Sequence, residues 1–425
     1  MIRSGRRDLR VDFFRGLALW WIYTDHIPGD VLGLVSLHSV ALCDAAEVFV
    51  LLAGFGAGKA YASIMDRDGY FYGAAEAVKR AWTLYIAHIF LFVVYAAQVS
   101  YGAISLDRVN YLDESRLNVL ADQPYQALMQ ALTLRYQPSL LNILPLYVVL
   151  LLIFALALPL LRRPRLLAGL SFLLYAGARA AHVNFPSWTG GGWFFNPLTW
   201  QFLFIIGAIL AYAPPRHVVV PRVLDWLAGA TVLGGLAVIF GLWRHPALAT
   251  VLPYRVSHAL LSVDKTNLDP ARLASIMALV WLTVRLVPAG ARWLESRAAS
   301  PFVLMGQHSL PVFCFSIFIG FFGRLGLEWG EGVPMQLVVN LGGLLAMIAV
   351  ATVAAWYRRG GQTRTRSAPS VSPRATPLPA AAANVTKEAH GSARVFGADR
   401  TAPGTAARGL GRVAALAADR LPRNE

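Results

Sequence analysis

Six ionisable residues near the start of the chain carry most of its potential for chemistry. They stand in or beside apolar stretches that are predicted to cross a membrane, where ionisable groups are costly and are functional candidates by default. We interpret positions 12 to 47 as a first membrane helix, an outer loop and the entry to a second helix. The six residues are Arg15, Asp25, His26, His38, Asp44 and Glu47.

Arg15 and His26 are spaced to share one face of the first helix. Eleven residues turn a helix through about 1,100°, close to the starting direction, with roughly 16 Å of rise between the two positions. A guanidinium suits phosphate groups, and a neutral imidazole suits abstraction of a proton from a hydroxyl. One helix can therefore hold an anionic donor near Arg15 and activate an acceptor near His26. His26 is then the candidate general base.

Simpler roles for these residues stay open. Arg15 is also typical of an arginine whose head group reaches the membrane surface, and Asp25 with His26 is typical of a pair that locks two helices. Asp44 and Glu47 occupy neighbouring positions of one helix face, where they can orient His26, bind acceptor hydroxyls or share a proton. Acidic residues also favour a helix N-terminus, with Asp44 as its cap.

Two more histidines and a group of glycines complete the candidates. His38 precedes the second helix and is a second candidate base. His308 is a candidate for lining the site, in a later predicted span that Pro311 is expected to kink. No metal is predicted, because the sequence has no cluster of metal ligands. It also has no phosphate-binding glycine loop and no nucleophile elbow. The stretch AGFGAGKA has a small-residue face typical of helix packing, formed by Gly54, Gly56 and Gly58.

The composition favours a membrane protein. Of the 425 residues, 56% are hydrophobic and only 14% are charged. Cys43 and Cys314 provide no disulfide framework. The basic start precedes an apolar run that contains charged residues, so we interpret that run as a retained span and not a cleaved signal. About half of the net charge of +15 falls in residues 358–425, and no nucleic-acid partner is expected.

Ten segments are long and apolar enough to predict an all-α, polytopic fold with about ten transmembrane helices. Basic residues cluster in the loops on one side, which predicts an even number of spans with both termini in the cytoplasm. The lipid bilayer is thus an expected partner. The predicted segments are 12–28, 44–65, 80–101, 139–161, 165–182, 197–213, 221–243, 270–288, 302–325 and 334–357.

The chain is predicted to have two parts. Residues 1–357 form the transmembrane domain, with substantial outer loops at 102–138 and 244–269; the first of these contains a predicted interfacial helix. Residues 358–425 are rich in Ala, Pro, Ser, Thr and Arg. We predict that they form a disordered basic cytoplasmic tail near anionic lipid head groups.

Eight short motifs follow one another along residues 8 to 357. The first is Asp12-x-x-Arg15-Gly16, followed by Asp25-His26. The others are Cys43-Asp44-Ala45-Ala46-Glu47, Ala53-Gly54-Phe55, Leu144-Pro145-Leu146-Tyr147, Phe195-Asn196-Pro197-Leu198-Thr199-Trp200-Gln201, Asp264-Lys265-Thr266-Asn267-Leu268 and Gly306-Gln307-His308-Ser309-Leu310-Pro311-Val312-Phe313.

In this order the motifs resemble the OpgC family of membrane acyltransferases. The resemblance implies a ten-helix, multi-pass enzyme of the bacterial inner membrane that transfers succinyl groups to periplasmic glucans. His26 is then the general base, with a covalent acyl-histidine as the less favoured variant. The related acyltransferase-3 group has an Arg, ten residues and a His in its first helix, as Arg15 and His26 do here, and implies a cytoplasmic acyl-CoA donor. Succinyl-CoA is the expected donor substrate, and no permanently bound cofactor is expected. We place Asp25, Asp44 and Glu47 around the base, Arg15 at the donor, and Lys265 and Asn267 at the succinyl carboxylate or the sugar.

Two other classes of function remain alternatives. Ten spans with intramembrane charges are also typical of a transporter or flippase for a glycan or small anion, although no inverted repeat is visible. A non-catalytic membrane partner of glucan synthesis is the third possibility, and it predicts that His26→Ala leaves function unchanged.

Overall fold

Apolar runs bounded by capping residues form the helices of this protein. The computed structural model describes residues 8–214, 222–330 and 332–366. Asp8, Asp44, Asn196 and Asp269 each cap a helix by accepting a backbone N–H in its first turn. The α-helices are α1 (Leu9–Asp25), α2 (Ala45–Asp68), α3 (Tyr70–Ser105), α4 (Asn110–Glu114), α5 (Asn118–Asp122), α6 (Pro124–Leu132), α7 (Ile143–Ala157), α8 (Pro164–Ala180), α9 (Pro197–Tyr212), α10 (Arg222–Ala237), α11 (Tyr254–Leu261), α12 (Pro270–Leu286), α13 (Ser300–Gln307), α14 (Ser309–Trp329) and α15 (Val333–Arg366).

Short helical turns connect these elements. A π-helix, Val238–Trp243, continues α10. The described residues contain no β-strand, only one isolated bridge between Pro186 and Gly192. The 3₁₀-helices are Val31–Val35, Leu37–Ser39, Leu158–Arg162, Pro246–Val251 and Arg292–Glu295. The predicted all-α class is therefore confirmed for the described part of the chain.

Six helices of the described residues are long and apolar enough to cross a membrane. Each of the ten predicted segments is helical in the structure, but the ninth is divided between two helices, and α1, α8, α9 and α12 have only 16 or 17 residues each. The count of ten spans is therefore not established. The six helices are Ala45–Asp68, Tyr70–Ser105, Ile143–Arg162, Arg222–Trp243, Ser309–Trp329 and Val333–Arg359.

Glycines allow two pairs of helices to pack with their backbones in contact. A Cβ atom at Gly54 would lie 2.0 Å from the carbonyl oxygen of Phe204, so α2 and α9 approach as closely as only glycine permits. Between α1 and α13, a Cβ at Gly16 would lie 1.9 Å from the carbonyl oxygen of Phe302. The end of α1 and the start of α2 lie beside each other at one end of the bundle, which we call the His26 end.

Large apolar side chains fill the interior and also cover the outside. Phe154, Trp200 and Phe204 are fully buried between the central helices. Outward-facing side chains on α3 and α15 are equally apolar, among them Phe90 and Leu345. An apolar outer surface is unfavourable in water and is typical of helices that contact lipid.

The predicted ninth span is interrupted. It consists of α13 and α14, and His308 lies at the break between them. Pro311 has no backbone N–H, and its ring would clash with the carbonyl of residue 307, so a continuous helix is disfavoured there. At the end of the bundle, α15 continues past 357 to Arg366, and the rest of the predicted tail lies outside the described residues.

Candidate functional site

A cavity of about 470 Å³ opens at the His26 end. We call it the large cavity. The end of α1, the loop after it, the start of α2 and the start of α12 all contribute to its wall. Its polar and charged lining residues are Asp25, His26, His38, Asp44, Arg116, Ser139, Asn142, Lys265 and Arg272. Five of the nine predicted site residues therefore line one space.

The loop after α1 returns His38 to Asp25. Asp30 caps the first 3₁₀ turn through the N–H of Leu32, and the hydroxyls of Ser36 and Ser39 both donate to the carbonyl of Gly33. The folded loop places Nδ1 of His38 3.1 Å from Oδ1 of Asp25.

The ionised carboxylate can only accept, so Nδ1 of His38 carries the proton of this contact. Half of the His38 side chain remains exposed. The hydrogen bond to Asp25 raises the pKa of His38 above its ordinary value; burial opposes this shift, and so does Lys265, whereas Asp44 adds to it. The ring is also held by two serine hydroxyls: Oγ of Ser36 lies 2.7 Å from Nδ1, and Oγ of Ser39 lies 3.2 Å from Nε2. His38 is therefore an imidazole oriented by Asp25 and these serines, with half of its side chain exposed to the cavity.

His26 caps α1 and borders two cavities. Its backbone N–H is bonded to the last turn of α1. Its ring lines both the large cavity and a second space of about 140 Å³, the small cavity, which is also lined by Tyr95 and Arg324. Nδ1 of His26 is buried and has no hydrogen-bond partner among the described residues. We expected Asp25 to orient His26, but Asp25 bonds to His38 instead, because the loop brings His38 back over the end of α1.

Asp44 and Glu47 form a capping box that is closed by two cations. Asp44 accepts the N–H of Ala46, and Glu47 accepts the N–H of Asp44 at 2.9 Å. Nε of Arg272 donates to Glu47 at 2.6 Å, and Nη2 of Arg272 donates to Asp44 at 2.8 Å. Nζ of Lys265 lies 2.6 Å from Asp44. The carboxylates predicted to orient His26 thus hold α12 and the Lys265 loop onto α2, as an arrangement of buried ion pairs.

Two side chains, Asp264 and Trp200, hold the backbone of the loop that contains Lys265. Asp264 accepts the N–H of Thr266 at 2.7 Å, and the indole of Trp200 donates to the carbonyls of Lys265 and Thr266. Nζ of Lys265 lies 5.6 Å from the centroid of the Phe195 ring. The Lys265 side chain is one-third exposed and lines the large cavity. Its backbone is held in place by the contacts above.

Arg15, Asn267 and His308 lie outside the linings of both cavities. Arg15 donates to the carbonyl of Leu52 at 2.9 Å, well along α2. The side-chain amide of Asn267 donates to Asp264 at 2.7 Å and accepts from the Asn196 side chain at 2.9 Å. Both contacts stabilise the loop itself. His308 is buried at the junction of α13 and α14. Their predicted contacts with substrate stay predictions.

Two residues of the site were missed in the sequence. Arg272 had the same signal that drew attention to Arg15, a cation inside an apolar predicted span. Nothing in the pattern, however, indicated that the start of α12 meets the start of α2. Arg116 lies in a long loop and carries no periodic signal; its backbone has a φ of +56°, which only the structure reveals.

The cavity and its helical frame define a class, that of helical membrane proteins with a charged, histidine-lined site at one end of the bundle. A family model described as OpgC protein matches residues 7–359. The chain belongs to the OpgC family. No curated protein and no solved structure matches the chain.

Proposed function

We propose that this protein is an integral membrane O-acyltransferase that moves a succinyl or other short acyl group from acyl-CoA to hydroxyls of a periplasmic glucan. Membership of the OpgC family supports the proposal. The observation that carries it is the large cavity, in which the carboxylate-held His38 and the second histidine, His26, line one space that is open to a ligand.

In the proposed reaction His38 is the general base. Asp25 accepts from Nδ1 of His38, so Nε2 takes the proton of an acceptor hydroxyl as the oxygen attacks the thioester carbonyl carbon. The tetrahedral intermediate then collapses, the C–S bond breaks, and the leaving thiolate receives the proton back from His38. The hydrogen bond to Asp25 raises the pKa of His38, which makes the ring a stronger proton acceptor than a free imidazole.

We assign His26 to the oxyanion and not to the base, which changes the role expected from the sequence. Nδ1 of His26 is buried without a partner among the described residues. Unpaired buried N–H groups are rarer than unpaired acceptors, so the proton is favoured on Nε2. An Nε2–H in the cavity donates to the negatively charged oxygen of the tetrahedral intermediate.

The topology of the proposal follows the loop charges. The His26 end faces the periplasm of a bacterial inner membrane, both termini face the cytoplasm, and ten helices cross or enter the bilayer. Acyl-CoA binds from the cytoplasmic side, with Arg15 along the path of the donor arm, and the glucan binds at the large cavity.

The test is mass spectrometry of periplasmic glucans from cells that contain the wild-type protein, His38→Gln, His26→Gln, or no protein. We expect an acyl mass shift with the wild type and its loss in both histidine variants. His182→Gln is the matched control, because His182 is exposed and lies outside both cavities. A shift that survives His38→Gln and disappears with His26→Gln would make His26 the base. Absence of an acyl mass shift in every strain would favour the alternative of a transporter or flippase.

A further inference from the structure

The charges that line the large cavity are paired except for one arginine. Lys265 and Arg272 bind Asp44, and Arg272 also binds the buried Glu47. The remaining carboxylate of the lining, Asp25, bonds to His38. Within the described part of the chain, the guanidinium of Arg116 forms no ion pair or hydrogen bond. The cavity therefore presents one unpaired positive charge to a ligand.

Arg116 is held at the cavity wall by a constrained backbone. Its φ of +56° is in the left-handed region, which costs free energy in residues that have a Cβ. The buried hydroxyl of Tyr136 donates to the carbonyl of Arg116 at 2.6 Å. The neighbours Ser115 and Leu117 are both buried. Arg116 itself is exposed, so its side chain is open to a ligand while its backbone is fixed at the cavity wall.

The neighbours of Arg116 indicate what kind of anion fits. The large cavity also contains His38 and His26, the groups to which we assign the chemistry, together with apolar side chains such as Phe195 and Phe313. A ligand group here must combine an apolar stem near the histidines with an anionic end at the guanidinium. A fork of guanidinium donors matches a carboxylate bidentately.

We propose that Arg116 determines acyl specificity by binding the free carboxylate of a dicarboxylic acyl group, such as succinyl, while its thioester carbonyl lies at the histidines. The inference rests on the proposed acyl transfer. It assigns no part of the chemical step to Arg116, which binds the end of the acyl group that does not react.

The test compares two donors of equal chain length, succinyl-CoA and butyryl-CoA, on a neutral glucan acceptor with the purified full-length protein. For Arg116→Gln we expect kcat/KM with succinyl-CoA to fall by about 10- to 100-fold, as for loss of a charge-assisted hydrogen bond. With butyryl-CoA it should change by less than about threefold. Arg116→Lys should retain part of the preference, and Arg116→Gly, which favours the observed backbone, should behave like Arg116→Gln.

Arg135→Gln is the matched control, since Arg135 is an exposed arginine of the same loop region outside the cavity linings. We expect it to leave both donors unchanged. Equal losses with both donors in Arg116→Gln would mean that Arg116 binds the CoA phosphates or supports the fold, and would overturn the proposal. No loss with either donor would overturn it as well.

A binding measurement separates this inference from the proposed function. Succinyl and butyryl thioesters of N-acetylcysteamine carry the acyl group without CoA phosphates. We expect calorimetry to show at least about tenfold tighter binding of the succinyl probe to the wild type, and no preference in Arg116→Gln. If the preference is observed but no transfer occurs, the proposed function fails and the carboxylate site stands. If the probes bind equally to the wild type, the carboxylate site fails.

Discussion

At the scale of single residues, Arg272 joins two helices of the site, α12 and the start of α2. Its side chain is almost fully buried and binds both Glu47 and Asp44. Removal of one partner from a buried ion pair leaves an uncompensated charge, which costs far more than the pair contributes. The stability of the His26 end therefore depends on this arginine more than on any surface ion pair.

We expect Arg272→Met to destabilise the protein by about 3–5 kcal/mol, because Glu47 is left buried and unpaired. The measurement is the temperature at which half of the detergent-solubilised protein is lost from the monodisperse fraction. Adding Glu47→Gln should restore much of the loss, since glutamine keeps the capping box and carries no charge. Arg285→Met is the control on the same helix, because the pair of Arg285 with Asp225 is exposed. An unchanged melting temperature in Arg272→Met would contradict the stabilising role of Arg272 at the His26 end.

Asp25 and His38 make the reaction dependent on pH in a defined direction. Asp25 stabilises the protonated form of His38 and so raises its pKa, and a base must lose that proton before it acts. We expect Asp25→Asn to lower the pKa of His38 and to move the acid limb of the pH–rate profile to lower pH, while the plateau rate falls because the ring is no longer oriented. The measurement is kcat/KM from pH 5 to 9. An acid limb that stays in place would exclude His38 as the titrating base.

The positions of the helices and the cap at Asp44 were predictable from the sequence, but the helix ends were less so, since α3 begins at Tyr70 and not near residue 80. The contacts within the site were not predictable. Asp44 was identified as a cap from residue type alone, and the structure confirms it. The pairing of Asp25 with His38 depends on two irregular 3₁₀ turns that have no hydrophobic period. The contact of Arg272 with Glu47 joins positions 225 residues apart, and no single-sequence pattern encodes such a distance.

At the scale of elements, the close packing of α2 on α9 fixes where the start of α2 lies. The small-residue face of α2 was predicted to pack against another helix. Gly54 and Gly58 confirm this prediction, because both contact the α9 backbone. Gly56 differs from them, because a Cβ there would meet only the end of the Arg15 side chain, at 3.4 Å.

The same substitution should therefore have opposite effects at two positions on one helix. Gly54→Ala places a Cβ 2.0 Å from a backbone oxygen of Phe204 and should strongly lower the yield of folded protein and its melting temperature. Gly56→Ala should be neutral or stabilising by up to about 1 kcal/mol, because alanine favours helix more than glycine. Size-exclusion profiles after heating provide the comparison. Equal tolerance at both positions would contradict the observed packing.

At the scale of the whole molecule, the apolar outer surface and the basic loops together predict an orientation. If both termini face the cytoplasm, the loop that contains Thr189 faces the periplasm and the loop that contains Arg163 faces the cytoplasm. Both residues are exposed, which makes them suitable sites for chemical labelling.

We expect a membrane-impermeant thiol reagent to label Thr189→Cys in cells whose inner membrane is intact, and to label Arg163→Cys only after that membrane is permeabilised. The background variant has Cys43 and Cys314 replaced by alanine, and its lack of labelling is the control. The reverse pattern would place the large cavity on the cytoplasmic side, and the glucan could then not be a periplasmic acceptor.

The length of α3 has a consequence for how the protein sits in the bilayer. Its 36 residues rise by about 54 Å, whereas the hydrocarbon layer is about 30 Å thick. Trp82 and Tyr85 stack on each other, with Trp82 exposed, and Tyr101 is exposed farther along the helix. These aromatic rings are separated by almost the hydrocarbon thickness, as head-group anchors are. If Trp82 lies at the head groups, the first turns of α3 extend beyond the lipid as a post of about 16 Å that packs against α2 at Gly73 and carries Glu76, Lys79 and Arg80. On the proposed topology this post stands in the cytosol, where an incoming CoA must approach.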